Sequence, residues 1–369
     1  MKRLHKMIMA TARSCLSAAV LLAVAAVPIL GGVHPAAAQF YVQHNLVSDG
    51  AVPADHPDPN MVNAWGLVSS ATSPWWISDN GTGRSTLYNV GTGTIPLIVT
   101  VPGAMGQQGT PTGLVRNGGT GFVVNNGAGT SRASFIFAGE DGTISGFRGV
   151  PVVIAVPNST GAVYKGLAID SITAGKFLYA TDFHNGRVDV FDGNFAPVHT
   201  PGAFVDPQLQ KGFAPFGIQA IQIGNQTQIF VTYAQQDAAA HDDVPGQGLG
   251  IVSRFGTDGT FLGRVATRGQ LNAPWGLALA PANFGQFGGD LLVGNFGNGQ
   301  ILAYKMQPDG TFEFIDFLKV KNNQRIVIDG LWALEFGSGG PANGPTNTLF
   351  FTAGPFGETH GLFGTLVAQ

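Results

Sequence analysis

The sequence predicts an all-β chain, a six-bladed β-propeller of four-stranded antiparallel blades, and three observations carry that prediction. Glycine supplies 54 of 369 residues, roughly twice the usual ~7%, which works against extensive helix. A short phrase, often a bulky residue and then Gly and an apolar run, recurs six times at spacings of 47 to 59 residues. Asp-Gly pairs sit between apolar runs at Asp141-Gly142, Asp192-Gly193, Asp258-Gly259 and Asp309-Gly310, where a tight hairpin turn needs positive φ.

The phrase reads Trp65-Gly66-Leu67, Thr112-Gly113-Leu114, Lys165-Gly166-Leu167, Phe216-Gly217-Ile218, Trp275-Gly276-Leu277 and Asp329-Gly330-Leu331. A second apolar run follows each, at residues 75–78, 121–124, 177–181, 229–232, 291–294 and 349–352. These runs are rich in Val, Ile, Phe and Tyr and too short for helices, so they read as buried strands. Third strands follow, such as residues 134–137, 187–191 and 300–304. Units of about 50 residues with four strands are propeller blades; stacked solenoid repeats are shorter and need polar caps. The sixth repeat stops after its third strand, residues 361–367, and residues 41–47 offer the missing fourth. Such a latch removes an exposed sheet edge.

Residues 1–38 read as a cleaved secretory signal: Lys2, Arg3, Lys6 and Arg13 precede an apolar run at 16–30 and an Ala36-Ala37-Ala38 ending. That run is too short to span a bilayer. Residues 39–369 form the single propeller domain, secreted or periplasmic, with no membrane anchor and monomeric. The full chain carries 19 Lys and Arg against 22 Asp and Glu, so no basic field for nucleic acid exists. Its one cysteine, Cys15, excludes a disulfide scaffold and Cys-based zinc sites.

Function is expected at one mouth of the central channel, where the loops entering the inner strands and leaving the second strands open together. The ends of the second strands align as Asp79, Asn125, Asp182, Tyr233, Asn295 and Ala353. Asp and Asn there fit turn chemistry. Alternatively, Asp79, Asn125, Asp182 and Asn295 supply oxygens for a divalent cation, Ca²⁺ being the one suited to them. Residues before the repeat glycines form a second ring in which Lys165 faces Asp329, three blades away, over a mouth lined by Trp65, Trp275 and Phe216. This ring, with His184, Tyr233 and His360, is the candidate ligand-binding set. An insertion at residues 235–250, containing His241-Asp242-Asp243, lengthens the fourth repeat, as functional loops often do. There is no Walker loop, no G-x-S-x-G elbow and no cysteine nucleophile after the signal. A binding module for a small molecule, glycan or protein is therefore expected, with a metal-dependent hydrolase as the alternative.

Residues 47–49, 55–60, 63–67, 76–83 and 360–364 resemble an uncharacterised bacterial family of exported propellers, some of whose members carry a PEP-CTERM tail. This chain ends at Gln369 without that motif. More distantly the repeats resemble NHL repeats and gluconolactonase-like six-bladed propellers. That resemblance implies a single divalent cation held by Glu, Asn and Asp side chains. No glutamate stands in the aligned column.

Overall fold

The computed structural model describes residues 40–158, 160–170 and 177–369; the signal assigned to residues 1–38 lies outside them. Six sheets form the six blades of a β-propeller, each of four antiparallel strands, with a fifth strand of two residues, His56–Pro57, laid parallel on the edge of the last. No helix among the described residues is long and apolar enough to cross a membrane. In blade 1 the strands are Ala64–Ser70, Ser73–Asp79, Arg84–Asn89 and Gly93–Thr100, in that spatial order. The inner strands of the other blades are Pro111–Arg116, Tyr164–Ile169, Phe213–Ile223, Pro274–Leu279 and Leu331–Phe336.

The chain closes as its two ends suggest. Tyr41–Ser48 pairs antiparallel with Leu362–Ala368 and completes blade 6. Tyr41 is fully buried, its ring 4.9 Å from that of Phe284 and 5.9 Å from that of Phe287. The apolar core is divided into clusters lying mostly between neighbouring blades; one joins Val115 and Ile136 of blade 2 to Leu167 and Ala180 of blade 3.

The repeated glycine has a steric cause. Neighbouring inner strands converge on the axis, and a Cβ on Gly166 would lie 2.9 Å from the Phe216 carbonyl oxygen. On Gly66 and Gly217 it would run into the carbonyl oxygens of Thr112 and Trp275. Hydroxyls pin blade to blade at this depth: Thr181 donates to the Phe216 carbonyl at 2.7 Å, and Thr352 to the Trp65 carbonyl at 2.5 Å.

Two registers differ from the sequence reading. In blade 2 the second strand is Phe135–Gly139, which pairs with the inner strand. Residues 123–125 instead form an outlying hairpin, Val123–Asn125 with Thr130–Arg132. The inserted hairpin shares the Val-rich pattern of a buried strand, so the periodicity could not separate them. In blade 6 the pairings Leu331↔Ala353 and Leu334↔Phe351 match Pro274↔Asn295 and Leu277↔Val293 of blade 5. The equivalent of Trp275-Gly276-Leu277 is therefore Trp332-Ala333-Leu334, and blade 6 carries alanine where the other five have glycine.

Candidate functional site

A second strand that ends against a channel sends alternate side chains to opposite faces, so a shift of one residue exchanges inward for outward. By strand pairing the aligned ends are Asp79, Gly139, Asp182, Tyr233, Asn295 and Ala353. The Asp and Asn side chains of this column are engaged in their own blades. Asp79 Oδ2 accepts from Thr86 Oγ1 at 2.8 Å. Asp182 accepts from the Val163 and Asn185 backbone N–H groups, at 3.3 and 3.1 Å. Asn295 accepts from the Asn272 N–H at 3.1 Å and donates to the Gln270 carbonyl at 2.9 Å. Asn125 sits exposed on the outlying hairpin, accepting from Gly127 N–H at 3.0 Å. None of the four hydrogen-bonds to another; turn and strand-end chemistry accounts for Asn125, Asp182 and Asn295, while Asp79 Oδ1 is buried without a hydrogen-bond partner. Tyr233 is buried between blades 3 and 4, its hydroxyl unpartnered.

Asp79 has a testable consequence. Burial, the dominant cause, holds its carboxyl well above the usual range, against the lowering hydrogen bond from Thr86. A raised carboxyl stabilises the fold fully below its unfolded pKa, and that contribution is lost as pH rises through the folded value. Asp79→Asn is expected to stabilise the protein by at least about 1 kcal/mol at pH 8 and little at pH 4, measured by urea unfolding at both.

One residue further on, the positions Asn80, Glu140, Phe183, Ala234, Phe296 and Gly354 lead to the mouth. Glu140 stands one residue beyond the aligned column, whose blade 2 member is Gly139, and the misplaced second strand of blade 2 hid it from the sequence. Asn80 Nδ2 donates to Glu140 Oε2 at 2.7 Å. Lys165, 1% exposed, places its ammonium 2.5 Å from Glu140 Oε1 and 2.8 Å from Asp242 Oδ1. Burial alone would lower the Lys165 pKa, but Glu140 and Asp242 outweigh it and the ammonium is held above its ordinary value. Asn63 donates to Glu358 Oε2 at 2.7 Å and accepts from Trp332 Nε1 at 3.0 Å.

Asp242 comes from the blade 4 insertion, which continues the strand Gln226–Gln235 into a hairpin strap, bridged Gln236 to Asp243. Gln236 ties the strap to blade 3 through the Phe183 carbonyl at 2.6 Å. The neighbouring Asp243 has a buried Oδ2 with no hydrogen-bond donor, and burial pushes its carboxyl up to about 7. Burial also raises Glu358, helped by Glu140 and Asp242 and opposed by the Asn63 hydrogen bond. Glu358 stands in a turn where Phe356, Gly357 and Glu358 all have positive φ; for the two non-glycines this is strain of the kind that marks functional sites.

Beneath the polar layer the channel is filled. Trp65 stacks on Trp332 with centroids 3.6 Å apart, and Phe296 lies 4.0 Å from Trp332 on another side. Lys165 Nζ sits 5.3 Å from the Trp65 ring centroid, within cation–π range. Trp275 Nε1 donates to the Lys165 carbonyl at 3.0 Å. The mouth is therefore a shallow cup with an aromatic floor.

Of the ligand-binding candidates, Trp65, Lys165 and Trp275 meet here. Asp329 does not face Lys165: it precedes the ring by three residues, is exposed, and accepts the Phe356 N–H at 2.7 Å. Trp332 holds the ring position instead. His360 lies at the edge, 2.6 Å from Asp49 Oδ2 and with its ring 5.5 Å from that of Phe356. His184 is exposed on the turn beside the strap. Glu140, Asn80, Asn63 and Glu358 escaped the sequence reading; strand alternation at the true second-strand ends was the signal for Asn80 and Glu140, and nothing in the spacing marks Asn63 or Glu358.

Glu140, His241 and Asp242 bring ligand atoms within 4.8 Å of one another, the one such group found among the described residues. They do not fit a divalent cation as arranged, because the Lys165 ammonium already contacts two of the three.

Fold and cup together define a six-bladed propeller with a plugged channel and a polar mouth on one face. The chain belongs to the family of the uncharacterized proteins R648 and L690 of Acanthamoeba polyphaga mimivirus. It is 30% identical to R648 over 333 residues, covering 87% of this chain and 78% of R648. To L690 it is 30% identical over 334 residues, covering 87% and 84%. These relatives are viral and give no support to a bacterial origin or to the tailed membership. No protein-family model matches the chain.

Solved structures that share the fold at low identity include three of particular note. One is a Bacteroides thetaiotaomicron protein of unknown function (TM-score 0.55, 12% identical, 90% of this chain and 76% of that one). The second is virginiamycin B lyase from Staphylococcus aureus with quinupristin (0.52, 13%, 89% and 99%). The third is PQQ-bound aldose sugar dehydrogenase from Streptomyces coelicolor (0.51, 10%, 90% and 99%).

Proposed function

We propose that this propeller is a binding module whose channel mouth takes a small cationic ligand, an amine or guanidinium. The observation that supports this most is the unpartnered, buried Asp243 Oδ2 beside Glu358, in a cup where carboxylates outnumber the one ammonium. Glu140 and Asp242 take the direct contacts of Lys165, and its charge reaches Asp243 and Glu358 only from further off. A ligand ammonium would supply the missing donor and charge, and exposed Phe356 offers an aromatic face at the edge.

The pH dependence follows in sign. Asp243 ionises as pH rises through about 7, so affinity for an amine that stays protonated rises across that range. Calorimetry with putrescine, spermidine and methylguanidinium tests the reading. Binding is expected to strengthen from pH 6 to pH 8 and to fall about tenfold or more in Asp243→Asn and Glu358→Gln. Binding indifferent to both variants would move the site elsewhere. The alternative, a metal-dependent hydrolase, requires the Lys165 ammonium to leave Glu140 and Asp242 so that these two and His241 can take up an ion. It predicts a stoichiometric divalent ion by elemental analysis, lost in Glu140→Gln. An export role for residues 1–38 is part of the proposal, and N-terminal sequencing of the protein from its host tests it.

A further inference from the structure

Each propeller blade ends in an outer strand that covers the third, and blade 3 departs from that pattern. Its third strand, Arg187–Phe191, meets a fourth of only two residues, Pro197–Val198, which face Val190 and Phe191. The fourth strands of blades 1, 4 and 5, Gly93–Thr100, Phe261–Thr267 and Phe312–Phe317, have six to eight residues. Among the described residues, nothing pairs with the outer edge of Arg187, Val188 and Asp189. A cleft of about 710 Å³ opens beside that edge, between it and the outer strand Val153–Val156 of blade 2. Val156, Val188, Phe195 and Val198 line it.

We infer that this cleft binds an extended peptide of a partner protein, which adds a strand in line with Pro197–Val198. Three unpaired residues span about 10 Å of strand edge. The groups left open are backbone donors and acceptors at strand spacing, and an extended main chain complements them where a compact small molecule does not. Most fold edges are blunted by proline or by unpaired charge. Prolines flank this edge at Pro157 and Pro197 but do not cover it, and its two charges cancel, Arg187 Nε lying 2.7 Å from Asp189 Oδ1. Tyr164 further fixes Asp189, donating to Oδ2 at 2.9 Å. A neutral rim over apolar walls selects an uncharged segment with β-branched or other apolar side chains at alternate positions.

The probe is a fluorescein-labelled, end-blocked Thr-Val-Thr-Val-Thr peptide, titrated with the full chain by fluorescence anisotropy. Saturable binding is expected below about 1 mM. N-methylation of the backbone along one edge of the peptide should weaken it about tenfold, while the same modification on the other edge leaves it unchanged. Val156→Trp, checked for an unaltered melting temperature, should weaken it about tenfold by filling the cleft, and Glu358→Gln at the channel mouth should not. Hydrogen exchange should show one amide among Arg187–Asp189 newly protected. No binding at that concentration, or equal loss from N-methylation of either edge, overturns the inference.

Discussion

The Lys165→Met variant is expected to lose about 3 kcal/mol of unfolding free energy, because removing one partner of a buried pair strands the other. Lys165 is almost fully enclosed and Glu140 has a side chain only 14% exposed, so methionine would leave the glutamate facing Trp65 without a cation. The Asp242 side chain is 64% exposed, and Asp242→Asn should cost under about 1 kcal/mol. The double variant Lys165→Met/Glu140→Gln removes both charges and should recover most of the loss, giving a coupling of at least about 2 kcal/mol. Urea unfolding of the wild type, Lys165→Met, Glu140→Gln and the double variant measures this cycle. A Lys165→Met cost no larger than that of Asp242→Asn would mean that the pair carries no weight in the fold.

Removing the latch is expected to be more damaging still. Tyr41–Ser48 supplies the outer strand of blade 6 along nearly the whole of Leu362–Ala368, and without it that strand is an open edge. Tyr41 also seals the space beneath Phe284 and Phe287, donating from its hydroxyl to the Phe284 carbonyl at 3.3 Å. Deletion of residues 40–48 should abolish cooperative unfolding and yield aggregated protein. The milder Tyr41→Ala should cost about 3 kcal/mol or more, in the range for emptying a large aromatic site. A deletion variant that stays monomeric and melts cooperatively would show that the blades close without velcro pairing of the termini.

The architecture was legible because a propeller repeats its instructions. Six phrases, each with a residue small enough for the crowded axis, announce the inner strands, and the chain's two ends advertise a shared blade. What failed was local register, and it failed where the repeat was broken. The hairpin Val123–Asn125 with Thr130–Arg132 imitates a buried strand and displaced the count in blade 2, hiding Glu140. In blade 6, Ala333 replaces the marker glycine while Gly330 stands nearby, so the spacing points to Asp329 as the ring residue in place of Trp332. The column of Asp79, Asp182 and Asn295 was legible in place along the strands, with turn chemistry and a shared cation both open to it, and the bonds of Asp182 and Asn295 are of the first kind.

The site also depends on contacts that no spacing encodes. Asp242 reaches Lys165 across 77 positions in the chain, by way of a strap whose length was visible and whose landing point was not. Asn63 and Glu358 meet because blades 1 and 6 are neighbours only after closure.

The central claim is that Glu140 of blade 2 and Asp242 of the strap converge on the Lys165 ammonium at the channel mouth. Heteronuclear NMR titration of the Lys165 Nζ signal tests it most directly. The account predicts an ammonium that stays charged above the ordinary lysine value near 10.5 and titrates lower in Glu140→Gln and Asp242→Asn. A Lys165 signal that titrates at or below that value, unmoved by either substitution, would contradict it.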